Sequence, residues 1–343
     1  VSLRRTGVLL LNLGTPDSPR TRDVRRYLRE FLSDPRVLDL PAPLRALLLY
    51  GAILPFRPRR SAAAYRQIWT PAGSPLLVHG RALAEGVARA LGDDFRVELA
   101  MRYGRPSIAQ GVAALRAAGV GRLVALPLFP QYSAAATGSA VAKLLEELAR
   151  GWDVPPVTVA SPFYDEPRFI AAFAAAAADL AGFRADHVLM SFHGLPERQI
   201  RRSEPLPGHC LASPGCCDDA RAVAGGCYRA QCFATARALA RALELPEGDW
   251  SASFQSRLGR TPWIAPYTDE VMPQLAARGV KRLAVLCPAF VADCLETLEE
   301  IGIRARDQWH ALGGDALWVA PCPNAHPRWV EAVSGLVREC AGG

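Results

Sequence analysis

Short, almost purely apolar runs recur along the chain, separated by longer stretches in which apolar and polar positions interleave at helical spacing. Gly7–Leu13 (G-V-L-L-L-N-L) is such a run, and Gly14-Thr15-Pro16-Asp17-Ser18-Pro19 closes it. An apolar run of this length bounded by turn residues reads as a buried strand. Similar patterns predict strands at Phe95–Met101, Arg122–Leu126, Val157–Ala160, His187–Phe192, Trp250–Gln255, Arg282–Leu286 and Ala316–Ala320. Helical spacing predicts helices over 22–32, Ile108–Ala118, Ala140–Arg150, Phe169–Ala181, Cys232–Leu243, Asp269–Arg278, Asp293–Ile301 and Pro327–Glu339, and a loop over Tyr65–Pro75 followed by a helix through Leu91. Strands alternating with helices imply α/β architecture with parallel sheets in doubly wound units.

The pattern also repeats itself. G-V-G-R-L-V-A-L (119–126) echoes G-V-K-R-L-A-V-L (279–286), Arg102-Tyr103-Gly104-Arg105 echoes Arg257-Leu258-Gly259-Arg260, and Asn12-Leu13-Gly14-Thr15-Pro16 echoes Phe192-His193-Gly194-Leu195-Pro196. The order is kept, which implies two similar α/β halves, 1–160 and 161–343, with the last helix able to pack back on the first. A cleft between two such halves is the default ligand site. One segment has no counterpart in the second half. Val37–Phe56 carries ten leucine, isoleucine, tyrosine and phenylalanine side chains broken by prolines at 41, 43 and 55. It reads either as core or as an apolar lip that covers a pocket or touches a membrane.

The chain has 343 residues, enough for about two domains. Its formal charge of +7 is spread thinly, apart from Arg57-Pro58-Arg59-Arg60 and Arg201-Arg202. Nucleic-acid binding needs a denser basic stripe, and that class is set aside. No uncharged apolar stretch of about 20 residues is present to span a bilayer, so a cytoplasmic protein is expected. Nine cysteines in such a protein do not make a disulfide framework. Five of them, Cys210, Cys216, Cys217, Cys227 and Cys232, crowd one insert at 208–232, which favours a metal or redox centre.

Candidate chemistry centres on Val188–Arg198 (V-L-M-S-F-H-G-L-P-E-R). The strand ends in His193, and Gly194 and Pro196 stop it. In open α/β sheets ligands bind just outside the carboxyl edge. A histidine there either exchanges a proton or ligates a metal, or is simply hydrogen-bonded in the turn. Arg282–Leu286 should share its sheet. Beyond that strand, Glu296, Glu299 and Glu300 are spaced to share one helical face. Glu296 either closes a capping box with Asp293 or opposes His193 across a pocket, where a histidine and a carboxylate together bind a cation and accept protons. Glu299 and Glu300 otherwise read as solvated.

Taken together, S-F-H-G-L-P, R-Y-G, P-Q-Y-S…T-G-S, P-W-I-A-P-Y-T-D-E and C-L-E-T-L-E-E resemble the ferrochelatase family, over nearly the whole chain. The resemblance implies two Rossmann-like domains with a porphyrin cleft between them, and insertion of ferrous iron into protoporphyrin IX as the closing metal step of haem synthesis. It places the family's essential histidine on His193, its essential glutamate on Glu296 and a further acidic position on Glu300. Leu13, Arg102, Tyr103, Tyr132, Ser133 and Trp263 fall on substrate-lining positions, and the segment 37–56 on the lip, which in some members meets the membrane. Leu13 cannot ligate metal. One departure is Cys294, where many members carry a second histidine; it reads as a small buried hydrophobe.

Four thiolates hold iron–sulfur clusters and many zinc sites. Paired C-x-x-C knuckles are absent, and some microbial ferrochelatases carry a 2Fe–2S cluster at about this place, so the resemblance favours that cluster over zinc. Adjacent cysteines rarely serve one cluster together, which points to Cys210, Cys217, Cys227 and Cys232 as ligands, with Cys216 the substitute. Two rivals remain: the same chemistry on coproporphyrin, and a non-catalytic haem-binding or redox-sensing iron–sulfur protein.

Overall fold

The computed structural model describes residues 5–259 and 261–342. Residues 1–4, Arg260, which ends the second R-x-G-R echo, and Gly343 lie outside the described residues. The chain divides into two compact units. One holds the chain up to Phe129, Ala134–Pro162 and the stretch from Asn324 onward; the other holds Pro130–Ser133 and Phe163–Pro323. The last helix, Pro327–Gly342, thus belongs with the first unit and packs on the helix Pro75–Leu91 there.

The first unit carries a parallel sheet of β1 (Thr6–Thr15), β2 (Phe95–Gly104), β3 (Arg122–Pro127) and β4 (Val157–Val159), in the order β2-β1-β3-β4. The second carries β5 (His187–His193), β6 (Trp250–Gln255), β7 (Arg282–Leu286) and β8 (Ala316–Val319), in the order β6-β5-β7-β8. The two orders are the same, so the repeated motifs mark a repeated topology. Parallel strands need crossovers, and helices on the sheet faces bury both sides. Leu9, Leu11, Leu123 and Ala125 accordingly pack with Val112, Leu115 and Leu144 in one core. Leu189, Leu283 and Val285 pack with Met272, Ile301 and Trp309 in the other.

The α/β class follows the hydrophobic pattern, and several boundaries depart from it. The expected loop at Tyr65–Pro75 begins as helix, because Leu54–Ile68 is one element whose buried Ala62, Tyr65 and Ile68 lie on one face. The expected helix Phe169–Ala181 stops at Ala176, and a separate turn follows at Leu180–Phe183. The helix expected from Cys232 starts four residues earlier, at Tyr228. The segment 37–56 is not core as a whole. Leu49 and Leu54 are buried, whereas Leu47, Tyr50 and Phe56 are 70%, 60% and 73% exposed. Among the described residues three stretches are wound as π-helix: Leu49–Ile53, Ala134–Gly138 and Glu296–Ala305. Such wide turns are rare and concentrate at functional sites. The latter two follow β3 and β7, the same place in each unit's topology.

Candidate active site

His193 is the last residue of β5, level with Gln255 at the end of β6. Its Nδ1 lies 2.6 Å from the carbonyl oxygen of Gly194. A carbonyl only accepts, so Nδ1 carries the hydrogen, and the neutral ring keeps its lone pair on Nε2. That nitrogen is the one available for a proton or a metal. The backbone of His193 is held as well, since the Tyr228 hydroxyl donates to its carbonyl oxygen at 2.7 Å. Gly194 has to be glycine for a local reason: a Cβ there would sit 2.8 Å from the Gln255 carbonyl oxygen and 3.2 Å from the Trp263 ring. Trp263 thus packs on the turn after His193, with its indole N–H donating to the Leu258 carbonyl at 3.0 Å.

Glu296 begins the π-helix that follows β7, and its carbonyl accepts from the Gln255 side chain at 3.2 Å. Gln255 therefore joins the level of His193 to the start of the acidic helix. The capping-box reading fails. Asp293 accepts from the Thr297 hydroxyl and the Cys322 N–H, and the helix has no side-chain cap. The Cys294 thiol, fully buried and hydrogen-bonded to the Glu296 carboxylate, keeps its proton; its contact is more specific than that of a small hydrophobe. The π winding also separates the three glutamates. In a helix bonded i to i+5, Glu299 meets Arg304, whose Nε–H is shared between both Glu299 carboxylate oxygens at 3.0 Å. Glu299 is thus buried and paired, not solvated as the sequence suggested.

Glu300 is also enclosed. Its carboxylate accepts from Ser256 Oγ at 2.6 Å. Burial raises its pKa, against the lowering effects of the Ser256 hydrogen bond and of His193, while the Glu296 charge adds to the rise. Glu300 therefore responds electrostatically to both expected catalytic groups, within one unit. A cavity of about 180 Å³ opens beside it, bounded by Ser256, Arg257, Asp269 and Arg304.

The first unit repeats this geometry without the histidine. Gly14, with φ of 124°, follows Leu13 as Gly194 follows His193, and a Cβ there would fall 1.8 Å from the Tyr103 carbonyl oxygen. Leu13 is thus the topological counterpart of His193. Arg102 pairs with Asp34 at 2.7 Å and donates to Ser139 Oγ at 2.7 Å. Tyr103 differs from expectation. It is fully buried, and its hydroxyl meets Asp34 at 2.9 Å and Ser139 at 3.1 Å, so it braces Arg102 and presents no surface of its own. Asp34, which no sequence pattern singled out, is the hub of this network. Burial works against its charge, but hydrogen bonds from Ser139, the Arg36 N–H and Tyr103, with the charge of Arg102, hold its pKa below the usual carboxylate value.

Tyr132 and Ser133 belong to the second unit. The Tyr132 N–H donates to Gln231 at 2.8 Å, and the Gln131 amide donates to Thr235 at 2.9 Å, which lashes the P-Q-Y-S loop to the helix Tyr228–Ala242. The cysteine insert leads into that same helix. Cys210 and Cys227 have sulfurs 3.7 Å apart, and Cys216 and Cys217 have theirs 3.9 Å apart. Cys217 and Cys227 are hydrogen-bonded to each other, and the Arg229 guanidinium lies 3.0 Å from the Cys217 sulfur. Cys227 caps the helix. The hydrogen bond from Cys217, with the N–H groups of Ala230 and Arg229, outweighs burial and lowers its pKa to about 6. Burial and the neighbouring Cys227 push Cys210 up to about 12. Cys232 is apart from these four: it lies one helical turn inside, fully buried and hydrogen-bonded to Tyr228.

In fold the chain is similar to solved chelatases. It resembles the sirohydrochlorin chelatase SirB of Bacillus subtilis subspecies spizizenii, solved in complex with cobalt, with a TM-score of 0.56 and 12% identity over 98% of this chain and 96% of that one. SirB from Bacillus subtilis with ferric iron matches at a TM-score of 0.55 and 14% identity, with the same coverage. The particular family is given by sequence. The chain belongs to the ferrochelatase family, whose profile matches residues 5–341. It is 48% identical over 337 residues to the ferrochelatase of Legionella pneumophila strain Lens, covering 98% of this chain and 99% of that protein. It is 47% identical over 336 residues to that of Coxiella burnetii strain Dugway 5J108-111, covering 98% and 94%. It is accordingly a metal-chelating lyase that inserts iron into a porphyrin for haem synthesis.

Proposed function

We propose that the porphyrin is protoporphyrin IX, and that His193 accepts its pyrrole protons or receives the ferrous ion opposite Glu296. The observation that carries this reading is the orientation of His193: Nδ1–H is committed to the Gly194 carbonyl, which leaves Nε2 as base or ligand. Metal insertion releases two pyrrole protons and needs a partly desolvated dication. Glu296 offsets the dication's charge, and the buried Glu300 relays a proton toward the cavity bounded by Arg257 and Arg304. Leu13, at the equivalent place in the first unit, offers no ligand, so product haem is not held by an axial bond from that residue. Arg102, Tyr132, Ser133 and Trp263 serve as substrate-lining groups, with Tyr103 behind Arg102. The choice of protoporphyrin over coproporphyrin rests on the apolar segment 37–56, whose exposed leucines, Tyr50 and Phe56 suit a less carboxylated macrocycle. The same segment suits peripheral contact of a cytoplasmic protein with a membrane surface; no helix among the described residues is long and apolar enough to cross one.

The insert fits a 2Fe–2S cluster. Two thiolates on one tetrahedral metal with bonds of about 2.3 Å lie roughly 3.8 Å apart, close to the separations in both cysteine pairs. Among the described residues no three His, Cys, Asp or Glu side chains close around a single ion. A two-iron cluster takes only two protein thiolates per iron, the remainder being sulfide. Insertion is not a redox reaction, so a bound cluster supplies a structural crosslink beside β5. The test of the reaction is direct. Protein, ferrous iron and protoporphyrin IX are mixed anaerobically, and the loss of porphyrin fluorescence is followed. Rapid loss that exceeds the rate with coproporphyrin supports the reading. Faster turnover of coproporphyrin reverses the substrate assignment.

A further inference from the structure

We propose that Asp34 is a specificity-determining residue: it cancels the charge of Arg102, so that this arginine offers the porphyrin an N–H donor and no net charge to attract carboxylates. The proposal rests on the reading of Arg102 as a substrate-lining group and names what that side chain presents. Each nitrogen of the guanidinium has a distinct place. Nε donates to Ser139 Oγ at 2.7 Å and to the Ser139 carbonyl at 3.2 Å. Nη2 donates to Asp34 Oδ2 at 2.7 Å. Nη1 has no hydrogen-bond partner among the described residues. The guanidinium carbon stands 4.4 Å from the centre of the Tyr103 ring. Two nitrogens and one face are thus fixed, and one nitrogen is left to a ligand.

Asp34 is held as an anion. Besides Arg102, its Oδ2 accepts from Ser139 Oγ at 2.5 Å and from the Tyr103 hydroxyl at 2.9 Å, and its Oδ1 accepts from the Arg36 N–H at 2.7 Å. A carboxylate with so many donors keeps its charge, and a guanidinium does not lose its own. A full negative charge therefore stands 2.7 Å from a full positive one, with both side chains largely out of water. To a ligand farther off the pair is close to neutral, whereas an unpaired guanidinium there would draw every carboxylate of a porphyrin. The wall at Arg102 thus gives a tetracarboxylic porphyrin no advantage over a dicarboxylic one. Asp34 also begins the apolar segment, since its backbone carbonyl accepts from the Val37 and Leu38 N–H groups at 3.1 and 3.0 Å. Those bonds do not involve the carboxylate, so Asp34→Asn removes the charge and leaves them in place.

The test follows iron insertion into coproporphyrin and into protoporphyrin IX by loss of fluorescence. Its readout is the ratio of the two kcat/KM values, in which damage common to both substrates cancels. In Asp34→Asn the ratio of coproporphyrin to protoporphyrin should rise at least ~3-fold over wild type, through KM, because the uncompensated guanidinium attracts the additional carboxylates. The rise should shrink as salt is added. Asp34→Asn combined with Arg102→Gln carries neither charge and should return to the wild-type ratio. Thermal melts verify folding. An unchanged ratio in folded Asp34→Asn overturns the proposal. Where that variant is insoluble the double variant decides: a ratio well below wild type shows Arg102 acting as a carboxylate receptor in spite of Asp34, and overturns the proposal as well. Arg102→Gln alone tests the reading underneath. Unchanged kcat/KM for both porphyrins in that variant removes Arg102 from the substrate wall, and the proposal falls with it, whichever porphyrin the wild type prefers.

Discussion

Glu300 is a carboxylate that the fold makes uncomfortable. Burial raises its pKa, which means that the native state pays to ionise it. Below the ordinary carboxylate range the group is protonated whether the chain is folded or not, and it costs nothing. As the pH rises through the raised native value, the stability associated with the neutral group is lost. Glu300→Gln keeps an acceptor for Ser256 and removes the charge. It should raise the melting temperature near neutral pH, lose that advantage below about pH 4, and slow insertion; thermal melts across pH check the first two. Asp34 has the opposite sign. Its lowered pKa means that its stabilisation is present above the ordinary aspartate value and is lost as the pH falls through the native one. Asp34→Ala strips the partner from Arg102, Tyr103 and Ser139 at once. It should cost about 3 kcal/mol at neutral pH, the scale for breaking a buried ion pair, with a smaller deficit in acid, as urea titrations would show. His193 was legible in the sequence because a strand pattern, a turn and a sheet edge coincide on one residue. Asp34 and Tyr228 were not, because their roles depend on a hydroxyl or carboxylate reaching a partner from a distant part of the chain.

Among the elements, the π-helix Glu296–Ala305 does most to shape the site. The glutamate spacing suggested an α-helical face, and nothing in the side-chain pattern marks the wider winding, which shows itself in the i to i+5 pairing of Glu299 with Arg304. Deleting Gly302 should let the segment relax to α-helix. Such a protein should keep its far-ultraviolet circular dichroism, bring Glu299 and Arg304 to the i, i+4 spacing that an α-helix pairs, shift Glu296 and Glu300 relative to His193 and Ser256, and insert iron at least ~100-fold more slowly, given the cost of misplacing reacting groups. Wild-type turnover would show that the winding is incidental. Helix boundaries explain the cysteines too. Read as starting at Cys232, the helix leaves that thiol at a free end, within reach of a metal. Starting at Tyr228, it carries Cys232 a full turn inward and puts Cys227 at the cap, where backbone N–H groups favour the thiolate. The expectation that adjacent cysteines rarely both ligate set Cys216 aside; its sulfur lies 3.9 Å from that of Cys217. The strands were the most legible elements, since each is a dense apolar run, and Trp250–Gln255 and Arg282–Leu286 match to the residue.

For the whole molecule, the repeated topology frames the proposed chemistry, which only one of two equivalent positions is able to carry. Leu13 and His193 occupy equivalent places, and the repeat was visible as three ordered motif pairs. The boundary within the chain was less visible, because Pro130–Ser133 and the last helix each leave the half to which sequence order assigns them. The net charge of +7 and the exposed apolar side chains of the segment 37–56 together predict binding to vesicles of anionic phospholipid that weakens with salt. Leu47→Asp combined with Phe56→Asp should reduce co-sedimentation with such vesicles severalfold; undiminished binding would place the contact elsewhere. The most direct measurement follows porphyrin fluorescence in wild type and His193→Ala, with ferrous iron in excess and the visible absorption of each protein recorded first. The predicted result is a loss of insertion of ~100-fold or more in a variant that keeps its fold and its absorption. Insertion by His193→Ala at the wild-type rate would contradict the assignment of the chemistry to that imidazole.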